Sequence, residues 1–332
     1  MPRLRDFAPS WLRRLVRRHP WLCRPFGVAW ERPLFMLTMR WRTRQPETFN
    51  EKVRYKLARD RRPLLTTFAD KVAAREYVRQ QVGAELLSTV YAVVDDVTKF
   101  DWTSLPNEYA CKAAHSSGGV ILVWKGADPQ TALPPRSETV GWEELLLHPD
   151  QVDPHRLTEI CGRWLRTPYA WGCGKFQWAY RDVPRRLLIE ELLVDSSGQL
   201  APNWLFFVLN GRCRLVRGRL SEGRRGFFSP DGEQLEVGYV PKDSRGKPRH
   251  TPIRDVSVPP LPSGQWHRMI DIAERLGADT DFVRVDLYDV DGRVVFGELT
   301  NYPSRGTRPF DPPEFDYELG RYWTVPKRYS RS

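Results

Sequence analysis

Phe282 to Thr300 reads FVRVDLYDVDGRVVFGELT, two apolar runs joined by Asp291-Gly292. An Asp-Gly pair between alternating hydrophobic residues signals a β-hairpin, because the matching turn needs positive φ at both central positions. Along the first run Val283, Val285 and Leu287 share one face, and Arg284, Asp286 and Tyr288 share the other. Along the second, Val295 and Leu299 alternate against Val294, Phe296, Glu298 and Thr300. A plain two-residue turn pairs Val290 with Arg293 and throws Asp286 and Glu298 onto opposite faces. An odd loop, such as Asp291 to Arg293, or a bulge sets the two acids directly opposite each other, and that register is expected. Carboxylates so placed repel unless a cation, a proton or Arg284 stands between them, and Mg²⁺ takes oxygen ligands of this kind. A pair of solvent-facing acids is the plainer alternative.

Outward from the hairpin, WLFFVL-NG-RCRLV is a second hairpin and RLLIEELLV a strand. SGQWHRMIDIAERLGAD is a helix with Ser263 as cap, Gly277 past its end, and a core stripe of Met269, Ile272, Ala273 and Leu276. Nearer the N-terminus, TFNEKVRYKLARD opens with Thr48 three residues before Glu51, a capping-box spacing. TFADKVAAREYVRQQVG repeats the device with Thr67 and Asp70 and stops at Gly83. DPHRLTEICGRWL is helical, and residues 128–144 form a loop or short helix. NEYACKAAHSSGGVILVW reads as strand, small-residue loop, strand. Helices, a small mixed unit and then an antiparallel sheet with helices make an α+β chain.

With 332 residues, 41% of them hydrophobic, the chain fills a substantial core in one or two domains. Lys and Arg exceed Asp and Glu by 52 to 41, a net charge of +11 that suits a polyanionic partner without choosing among nucleotide, nucleic acid, glycan or lipid. The five cysteines, Cys23, Cys111, Cys161, Cys173 and Cys213, contain no CxxC pair, so neither a zinc site nor a disulfide framework is supported. A reducing cytosol is the expected setting. No apolar run approaches the roughly 20 residues that cross a bilayer. Trp11, Leu12, Leu15 and Val16 interleave with Arg13, Arg14, Arg17 and Arg18 in a basic amphipathic helix, either resting on an anionic membrane or packed as a solvated helix.

Three features could carry chemistry. Lys112 followed by His115, Ser116, Ser117, Gly118 and Gly119 pairs an ammonium with a loop whose backbone N–H groups can approach phosphate oxygens; an ordinary hairpin loop is the alternative. Asp286 and Glu298 are the second. The third is LLIEELL, where Glu190 and Glu191 interrupt a buried-looking strand, either at an exposed edge or toward an adenine amino group. WGCGKF, Trp171 to Phe176, only superficially suggests a phosphate-binding Walker loop, since Tyr169 and Phe176 stand where glycine and Ser or Thr are needed. Of six histidines only His115 lies in a candidate site, and covalent triad chemistry has no support.

TFNEKV, ADKVAAREYV, YACKAAHSSGG, RLLIEELL, FVRVDLY and FGELT, in this order and spacing, resemble the ATP-grasp family of teichuronopeptide-biosynthesis (TupA-like) proteins. The resemblance implies an ATP-grasp fold, two α+β subdomains gripping ATP, with a basic segment over 1–45, a helical region over 46–105, subdomains over 106–186 and 187–310, and a tail over 311–332. It implies an ATP- and Mg²⁺-dependent ligase that activates a carboxylate as an acyl-phosphate before an amine attacks. A sugar or glycan kinase on the same fold is the runner-up, and a non-catalytic polyanion- or membrane-binding module the third reading. An acidic glycan is a candidate substrate; nucleic acid is not an implied partner, and the protein is placed in the cytoplasm with peripheral contact at the inner membrane surface. By this resemblance Lys71 and Lys112 contact phosphates under the loop Ser116 to Gly119, and Glu190, Glu191 and Leu193 form the adenine hinge. Asp286, Glu298 and Thr300 bind metal, and Arg284 acts near the transferred phosphoryl group. Two departures stand out: Asn301 comes one residue later than the asparagine of the common Glu-x-Asn pattern, and Asn203, Trp204 and Leu205 replace an Asp-Tyr-Lys pattern.

Overall fold

The computed structural model describes residues 39–330 except 132, 139, 170–176, 220–224 and 241–260. The chain divides into Met1–Gln45 and Pro46–Ser332. In the first unit a helical turn covers residues 39–42, and Thr43 Oγ1 donates to the Met39 carbonyl at 2.7 Å. The basic helix expected over residues 11–18 and the WGCGKF loop lie outside the described residues. No described helix is long and apolar enough to cross a membrane.

The second unit opens with α1 (Phe49–Arg59), α2 (Leu64–Ala69) and α3 (Ala73–Val82). The capping box forms at α1: Thr48 Oγ1 accepts from the Glu51 amide, and the Glu51 carboxylate accepts from the Thr48 amide. Thr67 is not a cap, because α2 starts at Leu64 and takes Thr67 into its interior. Asp70 alone works at the junction, accepting from the Val72 amide and pairing with Arg186 at 2.7 Å.

A five-stranded sheet follows, with strands β1 (Val90–Val94), β2 (Tyr109–Ala113), β3 (Val120–Val123), β4 (Glu144–Leu147) and β5 (Leu187–Glu190) in the order β1-β5-β2-β3-β4. Only β3 and β4 run parallel. α4 (Pro154–Arg166), capped by Asp153, packs Leu157, Ile160 and Trp164 into this sheet's core with Cys111, Ile121 and Ile189. The strand expected through Val194 stops at Glu190, where the Glu191 amide turns to the Thr89 carbonyl.

The larger sheet contains β6 (Asn203–Leu209), β7 (Arg212–Arg219), β8 (Arg225–Phe228), β9 (Gln234–Leu235), β11 (Phe282–Val290) and β12 (Arg293–Thr300). Its order is β12-β11-β6-β7-β8-β9, antiparallel throughout. β10 (Gly238–Tyr239) pairs with β13 (Phe310–Asp311), and the expected α+β class is the one observed. α5 (Ser263–Gly277) and α3 cover one face, joining Met269, Ile272, Leu276 and Val78 to Phe206, Val208, Val283, Val285 and Leu287 in one core. α5 departs from expectation at both ends: Pro262 precedes it without a side-chain cap, and Gly277 lies inside the helix.

α6 (Glu314–Arg321) leads into a C-terminal stretch that is locked to α1. Lys56, fully buried, bonds Asp60 at 2.8 Å and Asp281 at 2.5 Å, and Trp323 Nε1 and Tyr329 Oη donate to Asp281 at 2.9 and 2.8 Å. Every charge in this buried cluster has an opposite partner, which is the condition for carrying it at all.

The hairpin of β11 and β12 settles the register. Val290 pairs with Arg293 around Asp291 and Gly292, both at positive φ, so the turn is the plain two-residue form. One extra residue, Gly297, then bulges between the Leu287–Phe296 and Asp286–Glu298 pairs. The bulge changes which parity of β12 faces the core: Val294 and Phe296 point there before it, Leu299 after it. Asp286 therefore stands directly opposite Glu298, and Phe296 does not share that acid's face as the sequence alternation suggested. A Cβ on Gly297 would lie 2.8 Å from Tyr288 Cε2 and 3.0 Å from the Asp286 carbonyl oxygen. Gly297→Ala is accordingly expected to cost about 1–3 kcal/mol by overpacking, read as a fall in the urea midpoint at unchanged m-value. An unshifted midpoint would show that the bulge tolerates a side chain.

Candidate functional site

A cavity of about 770 Å³ opens between the two sheets of the Pro46–Ser332 unit. β2 and β3 supply Ala110, Lys112, Val120 and Leu122; the segment after β5 supplies Glu191, Leu192 and Leu193; β11 and β12 supply Arg284, Asp286, Tyr288, Glu298 and Thr300. Lys71, Ser117 and Gly118 close another side. Ten residues singled out from the sequence thus line one space, although more than 200 residues separate Lys71 from Arg284 in the chain.

Four others do not line it. His115 is buried behind the loop, its Nε2 at 3.1 Å from the Trp164 carbonyl and its ring edge-on to Trp142, and burial holds its pKa below the usual imidazole value. Ser116 closes the loop internally, donating to the Gly118 carbonyl at 2.6 Å. Gly119 packs against Trp142, which a Cβ would approach to 2.9 Å. Gly118, at φ 110, would bring a Cβ to 2.4 Å from the Trp142 carbonyl oxygen, so this loop position requires glycine. Glu190 does not line the cavity and enters a buried hub: its carboxylate takes Lys112 Nζ at 2.6 Å, Arg75 at 3.0 Å and the Ser88 hydroxyl at 2.6 Å.

That hub separates the two lysines. Burial pulls Lys112 toward the neutral form, but the Glu190 carboxylate outweighs it and raises the pKa above the ordinary lysine value. Burial wins at Lys71, whose pKa is lowered despite the Glu298 carboxylate; its ammonium rests on the Ser116 carbonyl. Lys112 therefore lines the cavity as one half of a structural ion pair.

The second centre is the acid pair. Arg284 bonds Asp286 with Nε and Nη2, both at 2.6 Å, and reaches Glu298 at 2.9 Å. Thr300 Oγ1 donates to the same Glu298 oxygen at 2.8 Å. Burial raises the pKa of Asp286 to about 6 against the pull of Arg284, and the nearby Glu298 charge adds to the rise. At Glu298 burial acts in the same sense, but Lys71 and Arg284 reverse it and bring the pKa down to about 2. The same burial thus has opposite outcomes: cations hold Glu298 in its charged form, and Asp286 is left the weaker acid of the two.

At the cavity's other end Ala110, Val120, Leu122, Leu192, Leu193 and Leu200 form apolar walls. Between them, the Glu191 carbonyl and the Leu193 amide have no hydrogen-bond partner among the described residues, whereas the Glu191 carboxylate is held by Arg293 at 2.6 Å and the Thr89 amide at 3.1 Å. The Glu191 side chain at this end is thus engaged within the protein. Asn203 and Asn301 also line the cavity, each with a buried Oδ1 that has no partner. Sequence reading treated both only as departures from a pattern. It gave no role to Tyr180, Arg219 or Arg75, which carried no local signal.

Residues 174–324 match the family model of TupA-like ATP-grasp proteins. The match spans just under half of the chain and takes in the hinge segment and the Arg284–Asp286–Glu298 centre, while Lys71, Lys112 and the glycine loop precede it. Solved structures that match include D-alanine–D-alanine ligase from Bacillus anthracis complexed with ATP, at 12% identity and a TM-score of 0.36, covering 72% of this chain and 55% of that one. An ADP complex of N5-carboxyaminoimidazole ribonucleotide synthetase matches at 9% identity and 0.37, covering 72% and 46%. The ATP-grasp ligase PsnB with a minimal precursor matches at 8% and 0.31, covering 72% and 54%. The chain spans about half the length of these structures. No curated protein matches it.

The Glu190 hub makes a pH-dependent prediction. Burial raises its pKa, but Lys112, Ser88 and Arg75 bring it below the ordinary 4.5, so its stabilisation is complete above that value and is lost as pH falls through the folded pKa. Glu190→Gln leaves two buried cations without their counter-charge and is expected to cost about 3–5 kcal/mol at pH 7. The deficit should narrow at pH 3.5 in urea titrations, because below the ordinary 4.5 the unfolded wild-type carboxylate takes up a proton that the folded one resists; an equal deficit at both pH values would show that Glu190 is not acting through its charge.

Proposed function

We propose that this chain is an ATP- and Mg²⁺-dependent ligase that joins a carboxylate to an amine through an acyl-phosphate. The observation that carries the reading is the convergence of Lys71, Lys112, Arg284, Asp286 and Glu298 on one cavity whose far end is apolar and offers an open carbonyl and amide. A nucleotide triphosphate needs those two ends: cations for its phosphates, and a flat apolar slot with backbone hydrogen bonds for its base. The family match over residues 174–324 supports the same assignment.

On this reading Lys71 and Lys112 hold phosphate oxygens, Glu190 fixes Lys112 in place, and the Ser117–Gly118 backbone approaches the same oxygens. Asp286 and Glu298 are the residues that would hold Mg²⁺, with the unpartnered Asn301 amide oxygen on the same wall; two carboxylates facing one cation, here the Arg284 guanidinium, fit a hard divalent ion. Bound there, the metal supplies neutralisation of phosphoryl oxygens. Arg284 is positioned to meet the charge of the transferring group. The substrate carboxylate oxygen forms a bond to the γ-phosphorus as ADP leaves, and the amine then bonds the acyl carbon as phosphate departs. Placing the reaction in cell-surface glycan biosynthesis in the cytoplasm rests on the family likeness alone.

An ADP-release assay over paired acid and amine libraries tests the reading: release should require both partners, and a product heavier by one phosphate would establish a phosphotransferase instead. Glu298→Gln is expected to lower turnover by about a hundredfold or more, and also to lower the thermal midpoint at pH 7, because Lys71 and Arg284 favour the charged form in the fold. A variant with full activity would sink the metal assignment.

A further inference from the structure

Arg217 on β7 is only 4% exposed, and its Nε has no hydrogen-bond partner. No carboxylate pairs with it among the described residues. Its guanidinium lies 5.4 Å from the Phe227 ring centre and 5.1 Å from that of Tyr239, and Arg308 covers Tyr239 at 4.3 Å. Two residues on, Arg219 shares the same strand face and lines the cavity; Arg225 is its direct partner on β8. Four arginines therefore gather at one corner of the sheet, and the two acids of the cavity floor are already held by Arg284.

The ladder gives the corner an address. Glu298, Asp286, Leu205, Arg217 and Phe227 stand opposite one another in one row across β12, β11, β6, β7 and β8. Arg217 is thus two strands from Asp286, roughly 10 Å at the usual strand spacing. Leu205 lies between them, so Arg217 is not the counter-charge of Asp286.

A buried guanidinium without an anion is a costly arrangement for a folded chain to keep. Burial, with Arg219, Arg308 and Arg225 adding to it, lowers the Arg217 pKa to about 9, although Tyr239 opposes the shift. An anion entering from the cavity past Arg219 would remove that cost, and arginine's fixed fork suits a carboxylate or phosphate.

We propose that Arg217 and Arg219 form an anion subsite for a co-substrate that carries a carboxylate or phosphate of its own, roughly 10 Å along the strand row from the reacting centre. Assigning the anion to a co-substrate rests on the ligase reading; the anion site itself does not. The co-substrate is then bifunctional, one end reacting beside Asp286 and Glu298 and the other held by arginine.

Ligand-observed NMR titrations of the full chain without nucleotide, using glutarate and inorganic phosphate as probes and propylamine as control, test the subsite. Both anions or one of them should bind, propylamine should not, and Arg219→Met and Arg217→Met should each weaken binding at least tenfold. The probe that binds more tightly distinguishes a carboxylate from a phosphate. Lys71→Met should leave this binding within twofold; loss only in that variant would place the anion at the nucleotide end and overturn the proposal. Thermal midpoints give a second readout that a merely structural arginine would not move: the wild type should be raised by the bound anion and Arg217→Met should not respond. Anion binding equal in wild type and both arginine variants, or no anion binding at all, would also overturn it. ATP binding by the wild type, measured separately by calorimetry, decides the ligase reading independently of these outcomes.

Discussion

Two carboxylates about 5 Å apart repel by about 3 kcal/mol at an effective dielectric near 20, and the β11–β12 hairpin nevertheless sets Asp286 against Glu298. The reason lies on the hairpin's other face. Val283, Val285 and Leu287 must enter the core beneath α3 and α5, and Phe296 and Leu299 must enter with them although they differ in parity. Only an inserted residue satisfies both, and Gly297 is that residue. Without it, burying Leu299 would expose Phe296, and burying Phe296 would drive Glu298 inward. The core thus imposes the facing acids, and Arg284 between them makes the arrangement tolerable.

The same logic of paired charge extends through the rest of the unit. Glu190 joins α3, β2 and β5 through Arg75 and Lys112, and Asp281 joins α1, β11 and the C-terminal residues through Lys56, Trp323 and Tyr329. Both acids are buried and both have pKa values below the ordinary range, because their cationic partners outweigh the effect of burial. The two cavity lysines differ for this reason. Lys112 is fixed by a full counter-charge, whereas Lys71 bonds a neutral carbonyl and feels Glu298 only at longer range. An incoming anion therefore gains more from Lys71 than from Lys112.

Periodicity and turn chemistry made much of this legible. The Asp291-Gly292 and Asn210-Gly211 turns, the Thr48–Glu51 capping box and the strand–loop–strand around Lys112 are local patterns, and local patterns are what sequence displays. The facing of Asp286 and Glu298 was legible only as a choice, since a bulge leaves no mark except a glycine among other glycines. The hub around Glu190 was not legible because its partners Ser88 and Arg75 lie 102 and 115 residues away and nothing in LLIEELL points to them. Thr67 misled for the opposite reason: a capping-like spacing existed, but α2 had already begun at Leu64.

Leu205 shows how one apolar residue divides the charge of the site. It stands between Asp286 and Arg217 in the strand row and is fully buried. A cation at that position would pair with Asp286 directly and compete with Arg284 for it. With leucine there, Asp286 keeps Arg284 as its hydrogen-bonded partner, and the next positive charge is displaced one strand outward to Arg217, where no acid among the described residues meets it. Trp204, the neighbour in sequence, faces the opposite core against Trp266 and Phe228, so the two residues are fixed by different surroundings. The separation of the acid pair from the arginine corner along a single row of the sheet follows from that one apolar spacer.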